Sequence, residues 1–188
     1  MSNSLYITSA HVRAGKAVVA LGVMELLARQ VAKIGVFRPI VPQGNEPDAM
    51  IELLVSRYNI DIDPRDEHFE AGHPEKVIEA ALEKFSSLKS RFDFMVVIGT
   101  DYTGPTSSTE LELNATLAAN LGAPVISIIN GFNKDIESIT ASIGHKRHLL
   151  QEHDCSLIAT IVNRVKPEQA DQIREALNLR EPADEEPV

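Results

Sequence analysis

Short apolar runs alternate along this chain with longer stretches in which apolar residues recur every three or four positions. The first pattern suits a strand buried on both faces, and the second an amphipathic helix. Leu5 to Thr8 and Ile34 to Ile40 read as strands, with a long helix from Gly15 to Lys33 between them. On that helix Val19, Val23, Leu26, Leu27 and Val31 share one face, while Glu25, Arg29 and Lys33 line another at i, i+4 spacing. Asp48 to Tyr58 follows as a helix with Asp48 as its cap, and polar Arg65 to Gly72 as a loop.

Gly72-His73-Pro74 opens a helix reaching about Lys89, with Val77, Ile78, Ala81, Leu82, Phe85 and Leu88 turned inward. Phe94 to Ile98 is a fully apolar strand, and Thr109 to Asn120 a helix closed at Gly122. A strand from Val125 to Ile129, a helix from Asp135 to Glu152, a strand from Leu157 to Val162 and a helix from Pro167 to Leu177 complete the series. Strands alternating with helices over the whole length predict an α/β fold in three layers, a mostly parallel sheet with helices on both faces.

The 188 residues suffice for one domain with a core of its own. No internal repeat or low-complexity segment interrupts it. A single cysteine, Cys155, excludes an internal disulfide framework and a cysteine-based zinc site. The longest apolar stretches, such as Ala123 to Ile129, are too short to span a bilayer, and no signal-peptide pattern follows Met1. The expectation is a cytoplasmic protein with no membrane partner. With 27 acidic residues against 18 basic ones, net charge is −9, and nucleic acid is not the expected partner. Glu181, Asp184, Glu185 and Glu186 crowd among Pro182 and Pro187. Residues 180–188 are therefore expected to be an acidic tail or the start of a linker, and residues 1–179 the domain.

Ligands of such folds bind beyond the carboxyl ends of the strands, so the segment after the first strand carries the candidate chemistry. It runs Thr8-Ser9-Ala10-His11-Val12-Arg13-Ala14-Gly15-Lys16-Ala17 and leads directly into a helix. A Gly-Lys pair in that place is the core of a phosphate-binding loop: backbone N–H groups face the phosphate, and the lysine reaches its outer oxygens. Two features depart from the working form. No glycine occurs from Thr8 to Ala14, and the residue after the lysine, whose hydroxyl would hold Mg²⁺, is Ala17. An acid is also expected at the end of a second buried strand, but that position is Ile98. Asp101, three residues further on, is the substitute within reach, although a loop aspartate more often caps its own turn. His11 and Arg13 together can hold an anion, or simply be exposed loop side chains.

Several segments match one family together. Leu5-Tyr6-Ile7-Thr8-Ser9-Ala10 with Gly15-Lys16, Ala20 through Leu27, Gly35-Val36-Phe37-Arg38-Pro39-Ile40 and Gly99-Thr100-Asp101-Tyr102-Thr103-Gly104 are four of them. Leu113-Asn114-Ala115, Asn120 through Val125 and Ile161-Val162-Asn163-Arg164-Val165 continue the match in the family's order. The chain resembles the N-terminal domain of the long form of bacterial phosphate acetyltransferase, itself similar to dethiobiotin synthetase within the P-loop NTPase class. The resemblance implies that acetyl transfer between CoA and phosphate belongs to a separate C-terminal domain. It links the N-terminal part to metabolite regulation and to assembly with sister subunits. Other members carry a Gly-rich loop ending in Gly-Lys-Ser and a Glu before Gly-Thr-Asp, where this chain has Arg13, Ala14, Ala17 and Ile98. By similarity to dethiobiotin synthetase, Asn163 stands where adenine is contacted. The implied nucleotide or phosphate site comprises Ser9, His11, Arg13, Ala14, Gly15, Lys16, Ala17, Asp101 and Asn163, with ATP or another phosphate-bearing metabolite as the small-molecule effector.

Other clusters read as ordinary structure. His145 and His148, with Lys146, Arg147 and His153 near them, are expected on a solvated basic helix face. In Thr106-Ser107-Ser108-Thr109 with Glu112, Ser108 or Thr109 is expected to cap a helix to which Glu112 reaches back. Cys155 is expected to pack in or near the core.

Three functional readings follow. The first is a regulatory and scaffolding domain of phosphate acetyltransferase with no catalytic or metal-binding residue of its own. The second is a stand-alone ATP-dependent ligase of the dethiobiotin synthetase type, which Ala17 disfavours. The third is an ATP-driven switch like the division-site and partition ATPases, which needs the hydrolysis that Ala17 and Ile98 disfavour.

Overall fold

The computed structural model describes residues 3–9, 13–40, 48–62, 74–100 and 107–178. Five parallel strands form one sheet in the order β2-β3-β1-β4-β5. They are β1 (Ser4–Ser9), β2 (Ile34–Phe37), β3 (Phe94–Ile98), β4 (Val125–Asn130) and β5 (Leu157–Asn163). The helices are α1 (Lys16–Leu27), α2 (Ala49–Tyr58), α3 (Pro74–Lys89), α4 (Ser107–Asn120), α5 (Ile136–Glu152) and α6 (Pro167–Asn178). The expected α/β architecture is present. After β1 the chain leaves for the β2 edge and returns through β3, then crosses β1 to β4. That reversal puts a crevice at the carboxyl end of β1.

β1, β2 and the apolar body of β3 are buried within the sheet and beneath the helices that flank it. Ile7 pairs in register with Ile98 on one side and Ile126 on the other. β5 has a neighbour only in β4 among the described strands, and it is half exposed, with Ile158 largely open. A register shift between Val125 and Ile126 lets β5 slip by one residue. α3, α4 and α5 lie side by side, and α6 packs on α5 through Ile139, Ile143 and Ile173. Tyr58 ties α2 to α1 by donating to the Leu21 carbonyl at 3.2 Å.

The caps expected from the sequence are in place: Asp48 accepts from the amides of Met50 and Ile51, and Gly122 is left-handed after α4. Asp135, expected as the first residue of α5, caps it instead by accepting from the Ser138 amide. Other expectations need correction. α1 stops at Leu27 rather than Lys33, and its buried line is Lys16, Ala20 and Met24. Of the expected face, Val19, Val23, Leu27 and Val31 pack half-buried against the core, and Leu26 is exposed. Periodicity thus found the flank of the inward face but not its centre, because so many residues of this helix are apolar. β2 ends at Phe37, not Ile40. α4 already includes Ser107, so Ser108 and Thr109 lie within it and do not cap it. The loop 65–72 and the tail 180–188 lie outside the described residues.

Candidate functional site

The loop before α1 is shaped by two left-handed residues, Arg13 at φ 59° and Gly15 at φ 86°. Glycine suits the second because no Cβ opposes that conformation. Ser9 ends β1 and is buried, and Ala14 is buried between the two turns. From this platform Lys16 enters the protein instead of facing outward; it is only 4% exposed. Its ammonium donates to the carbonyl oxygens of Gly99 (2.6 Å) and Thr100 (2.9 Å), just past the end of β3. Ala17 presents a methyl group where a hydroxyl would be needed, and Ile98 is fully buried in the core. His11 and Asp101 lie outside the described residues.

β5 secures the loop from the opposite side. Asn163 donates through Nδ2 to the Ala14 carbonyl at 3.0 Å, and its Oδ1 accepts the Arg164 amide at 2.9 Å. Both ends of this amide are thus engaged with backbone. Arg164 donates to the Arg13 carbonyl at 2.9 Å and lies 4.4 Å from the centroid of the Phe132 ring. The structure therefore unites Arg13, Ala14, Gly15, Lys16 and Asn163 at one end of the sheet, although Asn163 is nearly the whole chain away from the others.

A buried polar network adjoins the lysine, and no local pattern announced it. Tyr6 donates to Asn114 Oδ1 at 2.8 Å, and the same oxygen accepts the Thr100 amide at 3.0 Å. Asn114 Nδ2 donates to Thr100 Oγ1 (3.1 Å) and to the Glu110 carbonyl (2.9 Å). The Thr100 hydroxyl donates to Glu110 Oε1 at 2.8 Å. Thr100 thus stands between opposite charges, its carbonyl on Lys16 and its hydroxyl on Glu110. Burial pushes the Tyr6 phenol far above its ordinary range. Gly99 admits this packing: a Cβ there would strike the Asn114 side chain and come within 2.9 Å of the Tyr6 ring. In the sequence, Gly99 and Asn114 stand out only as parts of family motifs.

At the neighbouring carboxyl end of β2, Arg38 forms a buried ion pair with Asp48. On α5 the expected basic face is only partly solvated. His145, Arg147 and His148 are exposed, but Lys146 is buried and donates to the Ile128 carbonyl at 2.8 Å. It faces the sheet because it is one turn beyond buried Ile143 and one before buried Leu150. Cys155 packs half-buried against α4, its thiol 3.2 Å from the Ala115 carbonyl, and burial raises its pKa. Among the described residues no cluster of His, Cys, Asp and Glu could hold a metal, and no helix is long and apolar enough to cross a membrane.

A family profile described as an AAA domain matches residues 3–181. The chain belongs to that family. It is 34% identical over 184 residues to a phosphate acetyltransferase of Nitratidesulfovibrio vulgaris, covering 92% of this chain and 26% of the relative. A phosphate acetyltransferase of Synechocystis is 29% identical over 192 residues, covering 96% of this chain and 28% of that one. The chain thus spans about a quarter of the length of these relatives. In three dimensions it is similar to a GTPase from Pyrococcus abyssi in its apo form, at a TM-score of 0.54 and 14% identity, over 96% of this chain and 75% of that one. The fold is that of the P-loop NTPases.

Proposed function

We propose that this chain is the N-terminal, non-catalytic domain of a phosphate acetyltransferase, with a nucleotide loop that no longer hydrolyses and a regulatory and scaffolding role. The parent reaction, acetyl-CoA + phosphate = acetyl phosphate + CoA, belongs on this reading to a C-terminal domain outside the chain. Its partners are then that domain and sister subunits. The single observation that carries the reading is the position of Lys16. A phosphate-binding lysine keeps its ammonium at the phosphates, whereas Lys16 is drawn inside onto Gly99 and Thr100.

The described residues of the loop do not fit a Mg²⁺-nucleotide. Ala17 cannot ligate the ion, Ile98 offers no acid, and Asn163 spends both ends of its amide on backbone. What remains suits a structural role: the lysine joins α1 to β3, and the asparagine joins the loop to β5. The similarity to relatives nearly four times longer supports the placement within a larger enzyme.

Two assays on the purified chain test this. Acetyl phosphate formation from acetyl-CoA and phosphate is expected to be absent, as is Mg²⁺-dependent ATP hydrolysis. Turnover in the first assay, or an ATPase abolished by Lys16→Ala, overturns the reading. Calorimetric titration with ATP, with and without Mg²⁺, separates a loop that still holds phosphates from one that is purely structural.

A further inference from the structure

The loop from β4 to α5 and the loop from β5 to α6 face each other across a cleft of about 480 Å³. That size lies within the range of about 300–1,000 Å³ usual for small-molecule sites. Its walls are braced. Gln169 donates to the Lys134 carbonyl at 3.1 Å and accepts the Lys166 amide at 3.3 Å, so one side chain spans both loops. The Gly131 amide donates to the Asn163 carbonyl at 2.8 Å, and the Phe132 amide to Asn130 Oδ1 at 3.1 Å. A Cβ on Gly131 would collide with Val165, so the loops approach as closely as glycine permits.

The charge on the lining is mostly positive, three cations against one carboxylate. Lys134, Arg164 and Lys166 converge there in a chain whose net charge is −9. Among the described residues Lys134 and Lys166 have no acidic partner, and neither side chain donates a hydrogen bond. The one carboxylate in the lining, Asp135, accepts the Ser138 amide at 2.8 Å, and its hydrogen bonds with Ser138 hold its pKa below the ordinary aspartate value. Phe132 is 52% exposed, and the Arg164 guanidinium lies over it. Two point charges, one planar cation and one open ring make a surface for an anion that also carries a flat apolar group.

We propose that this cleft binds a small phosphate-bearing molecule with a planar moiety, the phosphate held by Lys134 and Lys166 and the flat part placed against the Phe132–Arg164 pair. The site is separate from the Lys16 loop but joined to it, because Arg164 also donates to the Arg13 carbonyl. A ligand that engages Arg164 therefore pulls on the loop. Only the description of this ligand as an effector rests on the regulatory reading above; the binding does not.

Calorimetry on the whole chain tests the site with phenyl phosphate, which carries ring and charge, and inorganic pyrophosphate, which carries charge alone. The Lys134→Ala/Lys166→Ala variant is expected to weaken both at least about tenfold. Phe132→Ala is expected to weaken phenyl phosphate at least about fivefold while leaving pyrophosphate within about twofold. In the unaltered protein, amide NMR shifts on adding phenyl phosphate are expected at Gly131 to Lys134 and Arg164 to Lys166. No binding of either probe, unchanged affinity in the double lysine variant, or shifts centred elsewhere, the Gly15-Lys16 loop included, would overturn the proposal. None of these outcomes bears on whether the chain makes acetyl phosphate, so the two readings fail independently.

Discussion

The side-chain amide of Asn163 lies directly over Gly15, so close that a methyl group on Gly15 would collide with it. The contact joins the loop after the first strand to the end of the last strand in the sheet. It also gives Gly15 two separate reasons to be glycine, the left-handed backbone and the close approach.

Gly15→Ala is accordingly expected to destabilise the fold by at least about 1–2 kcal/mol, since alanine is strained at this φ and also meets Asn163. Asn163→Ala in that background removes the collision but not the strain. Chemical denaturation of both single variants and the double variant measures the difference. The double variant is expected to be more stable than the sum of the singles predicts, by about 0.5–3 kcal/mol. Strict additivity would show that the two residues do not meet.

Lys16→Ala separates a structural lysine from a catalytic one. Its removal leaves the Gly99 and Thr100 carbonyls without their buried donor, a loss of about 1–3 kcal/mol in stability. A lysine serving only a bound phosphate would leave the melting temperature of the free protein unchanged. Thermal melts of both proteins without nucleotide decide between these outcomes.

Asp48 carries two tasks, the cap of α2 and the buried partner of Arg38. Asp48→Ala abandons both, removing the cap and a buried charged partner of Arg38, so a loss of at least about 1–3 kcal/mol is expected. Asp48→Asn keeps an oxygen for the amides of Met50 and Ile51 and is expected to lose less. Equal denaturation midpoints for the two variants would show that the cap contributes nothing.

Alkaline pH is expected to unfold the protein through Tyr6. Burial raises its folded pKa, so the folded chain keeps the phenolic proton while the unfolded chain releases it near pH ~10. The contribution is complete below that pH. It is lost above it at up to about 1.4 kcal/mol per pH unit, because the folded state then binds more protons than the unfolded one. Tyr6→Phe lowers stability at neutral pH but flattens the decline above pH ~10 by the share of one proton. Parallel slopes for the two proteins between pH ~9 and ~11 would refute this.

The order and kind of the elements are legible in the amino-acid sequence because they rest on local pattern. Phe94 to Ile98 reads as a buried strand, and Asp48 announces the helix it caps. The Gly15-Lys16 pair after an apolar run marks the loop in the same way. Each of these signals is written in neighbouring residues. What Lys16 does is not, because its partners stand some eighty positions away on Gly99 and Thr100.

Packing, by contrast, makes α1 bury Lys16, Ala20 and Met24 and expose Leu26, since a helix apolar on most sides takes its inward face from what it packs against. The same holds for Lys146, which its basic neighbours suggest is solvated and which is buried, and for the network of Tyr6, Thr100, Glu110 and Asn114. Sheet order brings the ends of β1, β3 and β5 together, and with them residues that share no local pattern. Which segments are strands, helices and caps is thus written in the chain itself, because that depends on periodicity and on hydrogen bonds within a few residues. Which polar groups meet is settled by the folded arrangement alone, because that depends on how distant segments are laid side by side.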